Sequence, residues 1–527
     1  MSTRTCLVRF RGTIHHLTST LTELVFERCC SRSEEQHQLS IAWDRIGTVL
    51  QTSSHTFNLS WIVAGQEEQA VVEQIEWIKL ESDSAGQDEV LVQLQSINIP
   101  SHLLRLQTTD TIRTAIHIIY NPTCTGGSST QVLRTLLTLL SNSGYVNSEH
   151  DIKVYQTQAE GDGKRIGNEI ALHSPERVRT VVVIGGDGTI GEVVNGLGQR
   201  IDVDEVDDGN AAPNETALIV VPLGTANALY YHHFPPEEDI TPYQNEPAPD
   251  SALHLYRSLF SFLHRRSRPF SVQPQPLAIA SNIVPRIDST VQRKEHVLTT
   301  VVTSTALHAN ILFDAERLRP THRGVERFKL AAMENAKRWF EGKVSLTGRV
   351  RRFEGKKWVE EEGDAVILLG PFVYCIASLV SRFEKDFVVA PLRRSVQDGI
   401  QDQEMETSFD VVLIRPLRDP STKKVFQEQG PDQAKEAFVP SLWETFGGMY
   451  QGGKHVGMKW EDGENRVEYY RCAKMEWHTP DSADIKDRLV CLDGVVRDLG
   501  RSSEGLGKGT YVTTALGSRR TGFKIWA

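Results

Sequence analysis

This 527-residue chain has little of what marks secreted, nucleic-acid-binding or membrane-spanning proteins. Its seven cysteines, Cys6, Cys29, Cys30, Cys124, Cys375, Cys472 and Cys491, are odd in number and irregularly spaced. No C-x-x-C pair exists, so neither a disulfide framework nor a zinc site is indicated, and a cytoplasmic, reducing setting is expected. Positive charge is not in excess. Against 68 Asp and Glu stand 58 Lys and Arg, a net charge of −10, which argues against a nucleic-acid footprint. No apolar run reaches the roughly 18 residues of a spanning helix. The longest, 365–380, is broken by Gly370-Pro371. The N-terminus lacks the apolar core of a signal peptide. Peripheral contact is the most membrane association expected. The P-loop G-x-x-x-x-G-K-[ST] and the protein-kinase signature set are also missing.

What is present centres on residues 181–197. Val181 to Ile184 are β-branched and apolar, the pattern of a strand buried on both faces. The chain then turns on Gly185, Gly186 and Gly188, and 189–197 reads as a helix. A strand, a glycine turn and a helix N-terminus make an anion site, because free N–H groups point at the ligand and glycine lets it approach. Asp187 sits inside that turn. Local hydrogen bonding is the ordinary reason for an Asp there, but it does not explain the packed glycines. Gly186 to Gly191 also spell G-x-G-x-x-G. The dinucleotide fingerprint wants an acidic residue after a second strand, and 201–209 reads instead as a charged loop.

Two further units repeat the theme. Residues 114–120 form a strand, followed by Asn121-Pro122, a turn at Gly126-Gly127 and a helix over about 129–141. Residues 217–221 form another strand, which ends in Pro222-Leu223-Gly224-Thr225-Ala226-Asn227. Between them, 153–157 is a strand and 164–172 a helix. In an open parallel sheet such loops gather at the strands' C-terminal edge, so a nucleotide site is expected there.

Three regions follow: a β-rich module over 1–110, an α/β nucleotide-binding domain over 111–268, and an antiparallel β-sandwich over 269–527. In the first, strands are expected near 23–26, 39–43, 57–63, 75–80 and 90–94. A helix is expected over 253–263. In the last, strands are expected at 297–303, 309–313, 365–369, 372–377, 387–390, 409–414, 469–476 and 489–492, with one helix over 323–340.

These motifs, in this order, resemble the diacylglycerol kinase catalytic superfamily and most of all its sphingosine (long-chain base) kinase branch. The resemblance rests on Asn121-Pro122 with Gly126-Gly127, on Gly185 to Gly188 followed by Glu192 to Gly196, and on Pro222 to Asn227. Further on come Asp314, Gly324-x-x-Arg327-Phe328, Gly452 to His455 and Asp493-Gly494. It implies an ATP- and Mg²⁺-dependent lipid kinase with its site between an α/β domain and a β-sandwich.

Residue by residue, the resemblance implies that Asp187 is the general base. Asn121, Gly126, Thr157, Gly185, Gly186, Gly188, Gly224 and Thr225 would line the nucleotide. Arg327 would face the phosphates and Asp493 would lie near nucleotide and Mg²⁺. Asp314 would hold the amino group of a sphingoid base at a membrane surface. Read without the family, Arg327 is a surface ion-pair partner of Glu326 or Glu334, and Asp314 a turn residue. Three positions depart from the pattern: Ala226 for glycine, Thr321 for arginine, and Val495 for the glutamate of Asp-Gly-Glu. A diacylglycerol or ceramide kinase shares the glycine motifs, and a non-catalytic lipid- or nucleotide-binding regulator is the reading of a different class. An NAD kinase also uses Gly-Gly-Asp-Gly but lacks the Asn-Pro turn and the Pro-x-Gly-Thr-x-Asn loop.

Overall fold

A computed structural model describes residues 115–124, 129–141, 152–173, 178–199, 214–236, 254–263, 273–286, 293–322, 324, 326–394, 402–480, 482, 484–500 and 509–527, together with eight strands between residues 5 and 106.

The central sheet begins from strand Val178–Gly185. It pairs in parallel with Ile116–Tyr120 on one side and Glu215–Pro222 on the other, Val182 lying opposite Ile118 and Ile219. Ile152–Gln156 extends the first edge in parallel. The other edge is extended by Phe523–Ile525, from the end of the chain, and by antiparallel Gln275–Pro276. The sheet of the α/β region thus draws strands from both sides of residue 268. Its three central strands, Ile116–Tyr120, Val178–Gly185 and Glu215–Pro222, are buried on both faces along most of their length, which is why they read as apolar runs. Val182 and Ile184 pack beneath helices Ser129–Ser141 and Arg257–Leu263. Val181 and Val183 face helices Asp162–His173 and Asp187–Leu197. The second of these begins at Asp187, two residues before the sequence indicates, because Gly186 serves as its N-cap. The expected helix over 253–263 is split into a 3₁₀ turn, His254–Tyr256, and the α-helix.

Beyond residue 275 the chain builds two antiparallel sheets of six and eight strands. Between them lies a core of Phe372, Phe409, Tyr470, Trp477 and Tyr511 with aliphatic neighbours. Strands Ala365–Leu369, Phe409–Ile414 and Leu489–Leu492 fall where the sequence places them.

Several expectations are corrected. The single strand expected over 469–476 is two, Glu468–Cys472 in one sheet and Lys474–His478 in the other, with the corner at Ala473. The run 297–303 is likewise divided between Arg293–Thr299 and Val302–Thr305, in different sheets. Residues 309–313 are not a strand but part of helix Ala306–Leu318; a short apolar run has no period to separate the two. Residues 387–390 have no regular structure. Their backbone bonds run to Met449 and Ser381 rather than to a ladder. The helix expected over 323–340 spans Glu326–Asn335. Two helices in the β-rich stretch, Pro420–Gln429 and Pro431–Tyr450, were not anticipated. Their start signals were there. Pro stands at the first helical position of each, and Asp419 caps the first by accepting the Ser421 N–H.

The N-terminal strands form one eight-stranded sheet, largely antiparallel, with Val8, Leu17, Leu24, Phe26 and Leu59 buried. Of the strands expected there, that over 90–94 lies outside the described residues. No helix among the described residues is long and apolar enough to cross a membrane.

Candidate nucleotide site

A cavity of about 370 Å³ opens at the C-terminal ends of the parallel strands. Asn121 and Thr123 line it from the turn after one strand, and Thr157, Gln158, Ala159 and Glu160 from the next. Gly188, Thr189 and Glu192 line it from helix Asp187–Leu197, and Arg319 from the end of helix Ala306–Leu318. Gly188 and Thr189 stand in the first turn of their helix, where N–H groups have no acceptor within the helix. Together with the helix dipole they favour an anion. A methyl group at Gly188 would meet nothing within 4 Å, so this glycine borders open space.

Of the sequence-derived candidates, Asn121, Thr157 and Gly188 thus meet at the cavity. Gly126 lies outside the described residues. Gly185, Gly186 and Gly224 serve packing. A Cβ on Gly186 would sit 2.8 Å from Gly224 Cα, and one on Gly224 2.5 Å from Gly186 Cα. At Gly185 it would sit 2.9 Å from Thr189 Oγ1. These glycines let two loops touch backbone to backbone. Thr225 is exposed on the second loop, which Asn227 closes by accepting the Gly224 N–H and donating to the Gly224 carbonyl.

Asp187 joins the same two loops. Its carboxylate accepts the Ala228 N–H at 2.8 Å and the Leu229 N–H at 3.0 Å, capping the short helix Ala228–His233. Burial pushes its pKa above the ordinary carboxylate value, and the N–H groups of Leu229 and Ala228 oppose that rise. Glu192, which sequence reasoning noted only as part of a motif, has a similar task. Its two oxygens accept the N–H groups of Gly161 and Gly163 at 2.8 and 2.9 Å, at the start of helix Asp162–His173.

Asp493 is held more tightly still. One oxygen accepts the Thr300 N–H at 2.6 Å and the Thr300 hydroxyl at 3.1 Å. The other accepts the N–H groups of Val301 and Val302 at 2.9 and 2.8 Å. That uses all four lone-pair positions of a carboxylate. Burial nevertheless pushes it up to about 6, against the pull of those donors. Asp493 lies beside Gly191 of the Asp187 helix. From the same helix, Asn195 exchanges two hydrogen bonds with the Leu298 backbone. These contacts lock the parallel-sheet region to the antiparallel sheets.

Arg327 and Asp314 lie on neighbouring helices outside the cavity lining. Arg327 stacks over Phe328, and its Nη1 comes within 3.6 Å of Glu316, not of Glu326 or Glu334. Asp314 is buried in its helix rather than set in a turn. It accepts a hydrogen bond from Asn335 at 2.7 Å and pairs with Lys486 Nζ at 2.6 Å. Burial alone would raise its pKa, but Asn335, Lys486 and Arg317 outweigh that and hold it below the ordinary value. Of the departures, Thr321 donates its hydroxyl to the Leu318 carbonyl and Val495 is exposed on a hairpin. The Gly452 to His455 motif is structural: Gly453, at φ 82°, packs on Pro391, and buried His455 bonds to Val389.

Residues 115–243 match the diacylglycerol kinase catalytic domain. The segment contains the glycine loops and all the cavity residues except Arg319. Diacylglycerol kinases of Staphylococcus aureus (strain MRSA252) and Staphylococcus haemolyticus (strain JCSC1435) are 34% and 33% identical to this chain over 116 residues. The match takes in 22% of this chain and spans only 30% and 29% of theirs. Among solved structures, a putative diacylglycerol kinase from Bacillus anthracis str. Sterne aligns with 78% of this chain and 96% of its own, at 13% identity and a TM-score of 0.41. Yeast NADH kinase complexed with NADH aligns over 90% of each chain, at 9% identity and a TM-score of 0.34.

Proposed function

We propose that this chain is an ATP-dependent lipid kinase. The observation that carries the reading is the cavity at the strand ends, walled by a helix N-terminus, within the segment that matches the diacylglycerol kinase catalytic domain. Its volume falls in the range of about 300–1,000 Å³ usual for small-molecule sites. The N–H groups of Gly188 and Thr189 take the phosphates, and the turn at Asn121 and Thr157 frames the rest of the nucleotide.

In the reaction the acceptor's hydroxyl oxygen attacks the γ-phosphorus, the bond to the β–γ bridging oxygen breaks, and ADP leaves. The hydroxyl proton passes to Asp187. Backbone N–H groups, those of Leu229 and Ala228 foremost, orient the Asp187 carboxylate, and burial makes it a stronger base than a solvated one. Mg²⁺, when bound, neutralises charge on the β- and γ-phosphates. Among the described residues no three carboxylate, histidine or cysteine side chains gather to hold a metal, and Glu192 is committed to Gly161 and Gly163. Glu160, the other carboxylate of the cavity wall, would be the side chain able to hold the ion beside the phosphates.

The acceptor lies in a membrane surface that the protein meets peripherally. A sphingoid base would bring its ammonium to Asp314, but Lys486 already stands there as a cation. Displacing Lys486 would leave one charge or the other poorly paired. This favours an uncharged acceptor, a diacylglycerol or ceramide, over the base.

The test offers purified protein Mg²⁺-ATP with diacylglycerol, ceramide and sphinganine in mixed micelles and resolves the labelled products. Labelled phosphatidic acid or ceramide phosphate is expected. Sphinganine phosphate as the main product would overturn the acceptor assignment, and no product with any lipid would turn the reading to a non-catalytic regulator.

A further inference from the structure

One wall of the cavity comes from outside the parallel-sheet region. Arg319 follows helix Ala306–Leu318 as its C-cap and lines the same space as Gly188 and Thr189. It is the one cation among the described lining residues, which also include the acids Glu160 and Glu192. Glu192 is bound to backbone N–H groups, whereas Glu160 is close enough to Arg319 to favour its charged form after Glu316 does so.

Glu316 lies between two arginines. Its Oε1 accepts from Arg319 Nη1 at 2.9 Å, and its Oε2 is 3.6 Å from Arg327 Nη1. The Arg319 and Glu316 side chains are 67% and 64% exposed, so water screens the pair and it holds weakly. Arg327 is only 15% exposed, and its Nε and Nη1 donate no hydrogen bond among the described residues. Buried guanidinium donors left open beside a weak carboxylate suit a stronger anion. A polyphosphate seated on Gly188 and Thr189 would present one on the side where Arg319 stands.

We propose that Arg319 binds the polyphosphate end of the nucleotide in the cavity, and that Glu316 is an internal competitor that pairs with Arg319 until phosphate takes its place. The inference rests on the nucleotide reading of the cavity. Arg319 then ties nucleotide binding to the position of the helix that also carries Asp314. The effect should grow with the number of phosphates, because Arg319 engages the far end of the chain and not the nucleoside.

The experiment measures ATP, ADP and AMP binding by calorimetry, with Mg²⁺, for the full-length chain and for Arg319→Ala, Arg319→Lys and Glu316→Gln. Arg319→Ala should weaken ATP binding about tenfold or more, the scale of a lost charge-assisted hydrogen bond, and leave AMP binding unchanged. Arg319→Lys should fall between, keeping charge but not the two-pronged contact. Glu316→Gln should tighten ATP binding by roughly two- to fivefold, since it removes a screened competitor. If the unaltered chain binds ATP and Arg319→Ala binds it equally well, the role of Arg319 is overturned while the nucleotide reading stands. If Arg319→Ala weakens AMP as much as ATP, its role is structural and the proposal also fails. No nucleotide binding by the unaltered chain would overturn both.

Discussion

The buried carboxylates packed on or around helix Asp187–Leu197 and those farther into the C-terminal region are neutralised in different ways. Asp187, Glu192 and Asp493 accept backbone N–H groups. Asp314 and Asp410 pair with side-chain cations, Asp314 with Lys486 and Asp410 with Arg471 at 2.6 Å, the second with a further bond from Tyr469. A carboxylate held by the backbone fixes where a loop runs and brings no counter-charge of its own. It leaves the field of the site open to a ligand's charge. A carboxylate held by a cation is already neutral as a pair and has little left for a charged ligand. The difference is the ground for the anion site and the uncharged acceptor proposed above.

The largest effect is expected from breaking a backbone-held acid. Asp187→Asn replaces one acceptor oxygen with an NH₂ group that cannot accept, so either the Ala228 or the Leu229 N–H loses its partner, and it removes the base. Turnover should fall by about 10²–10⁴-fold, and thermal unfolding should shift down as well, because a buried N–H loses its acceptor. Turnover near the unaltered value would remove Asp187 from the mechanism.

A smaller effect separates the glycines that pack from the one that faces the ligand. Gly196→Ala would place a methyl 2.2 Å from the Lys164 carbonyl oxygen, where two helices meet backbone to backbone. It should cost about 1–3 kcal/mol in urea unfolding. Gly188→Ala has open space, so stability should hold or rise slightly in a helical position, while ATP affinity drops because the methyl enters the cavity. If both variants lower stability equally, Gly188 does not border open space.

The smallest effect is a matter of sign. The Asp314 pKa is lowered in the folded chain, so its contribution to stability is present above about pH 4, its unfolded value, and is lost as pH falls through the folded value. Asp493 is raised to about 6. The folded state then binds that proton more tightly, so this contribution is full below about pH 4 and is lost as pH rises through about 6. Each group gives a slope of at most about 1.4 kcal/mol per pH unit. Urea midpoints of Asp314→Asn and Asp493→Asn, taken relative to the unaltered chain across this range, should therefore drift in opposite directions. Drift in the same direction would contradict the contrast between the two kinds of carboxylate.

The sequence by itself determined the parallel strands and the helices between them. A strand buried on both faces must be an apolar run, and a helix on a sheet must show its stripe, so Val181 to Ile184 and the helix Ser129–Ser141 could be read directly. It also showed that the glycine loops converge, since parallel strands leave their connections at one edge. What each glycine and each acid does was decided only in three dimensions. Gly186 is needed because Gly224 lies against it, 38 positions along the chain, and no local pattern records that contact. Asp314 meets Lys486, and Asp493 meets Thr300, through pairings between distant strands and helices. Sequence spacing shows which residues are near along the chain. The charge state and partner of a buried carboxylate depend on what the fold brings to it, and so does the arrival of Arg319 at a cavity built by another part of the molecule.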